Sequence, residues 1–293
     1  MPSALAIAAH PDDIEFVMAG TLLLLREAGW DIHYFNLSTG NMGSTVMGAA
    51  ETARVRRREA QAAAKALGAK WHAPICDDLQ IFYTDENIRR VCTVVREAAP
   101  TVVLTHALAD YMEDHMIAAR LAVTATFARG IPNYRSKPQR KPALEAVTIY
   151  HAMPHGQCTP IREPVRPELY VNTAGVHAAK RAALACHSSQ KEWLDASQGQ
   201  DNYLNVMDSF SRTLGRQSGK ISARGRLDAA SALWLRRGGR RSAARSLATA
   251  LSPSKTRPLT PCVPSSSSPS HSRLRSPNPI GPRPSRCRKR KPP

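Results

Sequence analysis

Short apolar runs and longer amphipathic runs alternate along the first half of the chain. Residues 4–7 are apolar without a break, as in a strand buried on both faces. Residues 16–27 continue as an apolar run at helical spacing, stopped by Gly29. A second strand is predicted over residues 31–38, followed by a loop of small residues over 39–44. Residues 49–67 read as a helix closed by Gly68, and 70–75 as a third strand. The next helix, 85–98, opens on acids, as a helix N-terminus favours, and ends at Pro100. Residues 101–105 form a fourth strand, 106–113 a polar loop, and 114–129 a helix terminated by Gly130. This order predicts an α/β fold: a doubly wound, mostly parallel, Rossmann-like sheet with helices on both faces.

The pattern then loosens. Strands are expected over 144–151 and 168–171, and helices over 176–187 and 202–214, closing one face of the same domain. Past about Lys220 periodicity is lost, and 11 of the 22 prolines fall after residue 250. The boundary is therefore drawn as a folded domain over 1–217 and an Arg/Pro/Ser-rich, disordered tail over 218–293.

Charge follows that boundary. Residues 221–293 hold 17 of the 41 Lys and Arg but a single acid, Asp228, so the net charge of +18 belongs almost wholly to the tail. A basic arm can hold an anionic polymer. With Trp234 as its only aromatic residue it lacks stacking side chains, and nucleic-acid binding is not expected of it. A GC-rich message read in a shifted frame gives the same composition, and that origin stays open. The six cysteines are scattered without a C-x-x-C pair, no leader-like start is visible, and no apolar run approaches 20 residues. These features predict a cytoplasmic protein with no membrane span; self-association is left open.

Two polar turns carry the candidate chemistry. His10-Pro11-Asp12-Asp13 follows the first strand, and the cluster His106, Asp110, Tyr111, Glu113, Asp114, His115 follows the fourth. In a doubly wound sheet both fall on the carboxyl edge, where ligands bind. His10, Asp13 and His115 form a set suited to zinc or another divalent metal, with positions left open for water and substrate. The competing reading makes Asp12 or Asp13 a helix cap and His115 a surface histidine near a helix N-terminus. His106 and Asp110 read as loop groups or as supports behind the ligands.

The stretch Ala9-His10-Pro11-Asp12-Asp13-Ile14-Glu15 resembles the AHPDDxE signature of the LmbE/PIG-L superfamily of zinc-dependent N-deacetylases. Three further stretches agree in order: Arg56 to Glu59 followed by Leu67-Gly68, Asp110 to His115, and His187-Ser188-Ser189-Gln190, which is similar to an HxSQ segment. The resemblance spans roughly residues 3–215. It implies zinc on His10, Asp13 and His115, Asp12 as general base, and removal of an N-acetyl group from an N-acetylglucosamine-like amino sugar. It also implies a substrate contact at Arg56. Asn41 in the small-residue loop, with His155 and His187, completes the expected substrate contacts. One position departs from the family: many members carry a histidine three residues before the last ligand, where this chain has Met112. His155, His187 or Asp12 is then left to protonate the leaving amine. The alternatives are a metal-dependent phosphoesterase and a non-catalytic protein that binds anionic polymers through its tail.

Overall fold

In the computed structural model, which describes residues 1–190, 203–219, 221–222, 225–226 and 230–235, the first apolar run becomes β1 (Ser3–Ala8). Its alternate side chains enter two separate cores. Ala4, Ala6 and Ala8 pack on one face of the sheet, Leu5 and Ile7 on the other. That is why the run is apolar throughout rather than alternating.

α1 (Asp13–Val17), α2 (Ala19–Glu27), β2 (Asp31–Asn36), α3 (Ala49–Leu67), β3 (Lys70–His72), α4 (Asp85–Ala98), β4 (Val102–Thr105), α5 (Glu113–Ala128) and β5 (Thr148–Ala152) follow. The five strands are parallel in the order β3-β2-β1-β4-β5. The order reverses between β1 and β4, which opens a crevice at their carboxyl ends. Both candidate turns leave from there.

Three differences from the expected elements have local causes. The single helix over 16–27 is two, α1 and α2, which meet at Met18, whose φ of −118° is far from the usual helical value of about −63°. β3 stops at His72, because Pro74 has no N–H for the ladder; one isolated bridge, Ser38 to Cys76, resumes the pairing. The third concerns the tail. β6 (Leu169–Asn172) does not pair with β5, because β9 (Ala230–Leu235) lies between them, antiparallel to both. β7 (Ile221–Ser222) and β8 (Gly225–Arg226) form a small ladder just before it. The expectation of disorder from 218 onward is thus corrected at these residues. Ala-Ser-Ala-Leu-Trp-Leu is an uncharged run hidden among arginines, and Leu233 is fully buried. The expectations for residues 236–293, the basic arm and the shifted frame, fall outside the described residues.

α6 (His177–Leu184) and α7 (Tyr203–Gln217) cover the alanine face of β1 beside α1 and α2. Lys180 is buried between them and donates to Ser211 Oγ at 3.1 Å. Burial, only partly offset by Asp208, pushes its pKa down to about 7. The unfolded chain therefore binds the extra proton between about pH 7 and the ordinary lysine value, and stability rises with pH across that window. Lys180→Met is expected to raise Tm by several degrees at pH 6, with the gain shrinking towards pH 9 in thermal melts. An equal gain at both pH values would contradict this.

Candidate active site

The turn after β1 is held in an unusual shape. Asp12, the residue before α1, has φ 102°, in the left-handed region that aspartate tolerates at a cost of about 1–2 kcal/mol. Its carboxylate makes no cap to the helix. It accepts the Tyr203 O–H at 2.9 Å and lies 3.5 Å from Arg56 Nη2. Asp13 turns back to accept the His10 N–H at 2.7 Å. The capping interpretation therefore fails for Asp12, and both aspartates line a cavity of about 320 Å³. Arg56, on α3, braces the turn by donating to the carbonyls of Pro11 (2.5 Å) and Gly40 (3.2 Å). A Cβ on Gly40 or Gly43 would come within 2.7 Å of that guanidinium, so only glycine leaves it room.

The expected ligand set is brought together. His10 Nδ1 and His115 Nε2 each lie 3.4 Å from a different oxygen of Asp13, and the three residues offer ligand atoms within 4.8 Å of one another. Each imidazole is held from behind by an aspartate: His10 Nε2 lies 3.1 Å from Asp114 Oδ2, and His115 Nδ1 3.1 Å from Asp110 Oδ1. Such outer carboxylates fix which ring nitrogen points at a metal. Asp110, expected as a loop group or a support behind the ligands, is thus bonded to His115, and Asp114, which was given no such place, is bonded to His10.

His106, Asp110 and His115 also gather within 4.8 Å. Their geometry does not suit an ion. The His106 and His115 rings are 4.1 Å apart and parallel to within 8°, so no point lies in both ring planes, where imidazole lone pairs are directed. The His10 and His115 planes cross at 54°. His106 Nε2 instead accepts the Ala9 N–H at 3.0 Å.

Electrostatics separates the two aspartates. Burial pushes the Asp12 carboxyl up, against the pull of Arg56. Burial acts the same way on Asp13, but there the charges of His115 and His106 and the bond from His10 outweigh it and hold the carboxyl well below the usual range. Burial would lower the two histidines; Asp114 and Asp13 instead carry His10 up to about 9, and Asp13 and Asp110 carry His115 up to about 10. A cluster that draws imidazoles so far towards their cationic forms favours positive charge, the condition a metal ion meets.

The remaining expected contacts divide. Arg56 and His155 line the cavity, as does Met112. His155 sits on the turn His155–Gln157 after β5, its ring 5.1 Å from Phe16 and 5.7 Å from Tyr111. Asn41 and His187 do not line it, which corrects their expected place. The Asn41 amide oxygen accepts the Asp78 N–H at 3.0 Å. His187 is buried behind the turn, 3.5 Å from Glu15, which also accepts the Tyr34 O–H at 3.2 Å. Next to it, Ser188 and Ser189 donate to Glu59 at 2.6–3.0 Å, an anchor that brings Gln190 to the cavity wall. Tyr203 was missed altogether. It stands 191 residues from Asp12, and no local signal marks it.

The family pattern described as PIG-L, GlcNAc-PI de-N-acetylase, matches residues 5–126. A 4-oxalmesaconate hydratase from Pseudomonas putida is 31% identical over 197 residues, 64% of this chain and 74% of that protein. The chain belongs to the PIG-L family. The diacetylchitobiose deacetylase of Thermococcus kodakarensis is 27% identical over 228 residues, 74% of this chain and 78% of that protein. Among solved structures, the 4-carboxy-2-hydroxymuconate hydratase of Pseudomonas putida matches with a TM-score of 0.67 at 27% identity, covering 80% of this chain and 96% of that one. The doubly wound PIG-L scaffold therefore carries both deacetylases and hydratases among these relatives.

Proposed function

We propose that this PIG-L protein is a metal-dependent N-deacetylase that frees acetate and an amine from an N-acetylglucosamine-like amino sugar. One observation carries the reading: of two adjacent aspartates facing the same cavity, Asp13 is set between His10 and His115 while Asp12 is turned to Tyr203 and Arg56. Carboxylates placed in such different surroundings take different chemical roles. His10, Asp13 and His115 would hold the metal, zinc in preference, since two imidazoles and a carboxylate are donors it takes in open catalytic sites. When bound, zinc supplies a Lewis acid that acidifies water and polarises an amide carbonyl. Asp12, whose protonated form burial favours, takes the proton of the attacking water. Tyr203 and Arg56 fix the direction of that carboxylate. Met112 has no proton to give, so Asp12 carries the same proton to the nitrogen as the C–N bond breaks. Sugar hydroxyls meet Arg56, Asp78 and Gln190, whose buried Oε1 has no hydrogen-bond partner among the described residues.

Hydration is the second reading, favoured by the 31% identical hydratase. The cavity lining weighs against it. A muconate-type substrate brings several carboxylates, yet beside the metal-holding residues the cavity presents Asp12 and Asp78, and among the described lining residues Arg56 is the only Lys or Arg. Both terminal nitrogens of that guanidinium are shared among Pro11, Gly40 and Asp12, and its Nε is buried without a partner among the described residues. Incubating the zinc-supplemented protein with N-acetylglucosamine and, separately, with a carboxylated muconate decides between them. Acetate and amine in equal amounts from the first support deacetylation; loss of conjugated absorbance from the second without acetate from the first refutes it. Four free cysteines among the described residues support a cytoplasmic location as part of this proposal. No described helix is long and apolar enough to cross a membrane.

A further inference from the structure

The loop after β3 holds a backbone that its sequence does not favour. Leu79 has φ 61°, in the left-handed region where leucine is strained and glycine is not. The bend lets the Leu79 N–H donate to Asp114 Oδ2 at 2.9 Å, the oxygen that also holds His10. Beside it, the Asp78 carboxylate accepts the N–H groups of Gly40 (2.7 Å) and Met42 (3.1 Å). The two loops are thereby locked into one rim, tied to the aspartate that orients a ligand histidine.

A glycine at position 79 would satisfy every one of those backbone bonds without strain. The chain instead places a leucine there with 64% of its surface exposed, so the fold gains almost nothing from the side chain. Met42, on the facing loop, is 51% exposed, and Tyr111, beside His115, is 62% exposed. All three line the cavity. Large apolar side chains held in water on a fixed rim mark a binding surface.

We propose that this rim grips an apolar aglycone: an N-acetyl amino sugar linked to an aryl or alkyl group is the preferred substrate, ahead of the free sugar. The inference rests on the deacetylase reading. Leu79 and Met42 flank Asp78, so they stand where the sugar hydroxyls enter and where a substituent on the ring would project.

The test compares phenyl N-acetyl-β-glucosaminide with N-acetylglucosamine as substrates of the full chain with zinc. Binding of the corresponding amine products, phenyl β-glucosaminide and glucosamine, is measured by calorimetry. Wild type is expected to prefer the phenyl glycoside by about 10-fold or more in kcat/KM and to bind its product more tightly by a similar factor. Leu79→Gly, which keeps the backbone bonds and removes the strain, should shrink both preferences, and Met42→Ala should shrink them further. Equal kcat/KM for the two substrates in wild type would overturn the aglycone site and leave deacetylation standing. A preference left unchanged in both variants would also overturn it. Tighter binding of the phenyl glycoside that falls in Leu79→Gly, without acetate from either substrate, would keep the apolar rim and refute the deacetylase.

Discussion

Asp12→Asn is expected to lower kcat for acetate release by about 10²–10⁴-fold, the range that loss of a general base produces. Asparagine matches the size of aspartate and can still meet the Tyr203 O–H through its amide oxygen, so the turn should keep its shape. It cannot take a proton from water. The loss is therefore expected in kcat with KM nearly unchanged, because a group that acts only in the transition state adds little to ground-state binding. Steady-state kinetics of purified wild type and variant checks this. A variant with more than a tenth of the wild-type kcat would remove Asp12 from the proton transfer.

His115→Ala is expected to lower activity at least as far, by a different route. His115 Nε2 faces Asp13 while Nδ1 is held by Asp110, so alanine removes a ligand and takes one partner from each of two buried carboxylates. Metal bound after dialysis should fall to near zero, and saturating zinc should restore little activity. His10→Ala should behave in the same way, since Asp114 and Asp13 hold that ring in an equivalent manner. Mass-spectrometric metal analysis of both variants beside wild type is the check. Full metal in both would place the ion elsewhere.

These two outcomes depend on features that were unequally visible in the sequence. α3 and α4 match their predicted bounds because their ends are local. Gly68 closes α3 in the left-handed region with φ 65°, and the Thr84 side chain accepts the Asn87 N–H at the start of α4. The convergence of His10, Asp13 and His115 was legible for a topological reason. β1 and β4 are adjacent and parallel, with Ile7 opposite Thr105, so the turns leaving them must face one another.

What stayed hidden came from long range or from averaging. The break at Met18 leaves no mark in the sequence, because Phe16, Val17, Met18 and Ala19 are apolar across it. β9 is a six-residue strand inside an arginine-rich stretch, where composition outweighs pattern. Asn41 and His187 carry side chains suited to substrate, yet one is taken by the Asp78 N–H and the other is packed against Glu15. Residue type shows what a side chain can do, while its partners decide what it does. Tyr203 is the reverse case, a residue of no evident chemistry that the fold carries onto the proposed base.

The account centres on a division of labour between neighbours, Asp13 on the metal and Asp12 on the proton. Metal content measured on Asp12→Asn and Asp13→Asn side by side, after identical dialysis and zinc loading, tests it most directly. The account predicts that Asp12→Asn retains wild-type metal and is inactive, whereas Asp13→Asn has lost most of its metal. Equal metal in both variants, whether retained or lost, would contradict it.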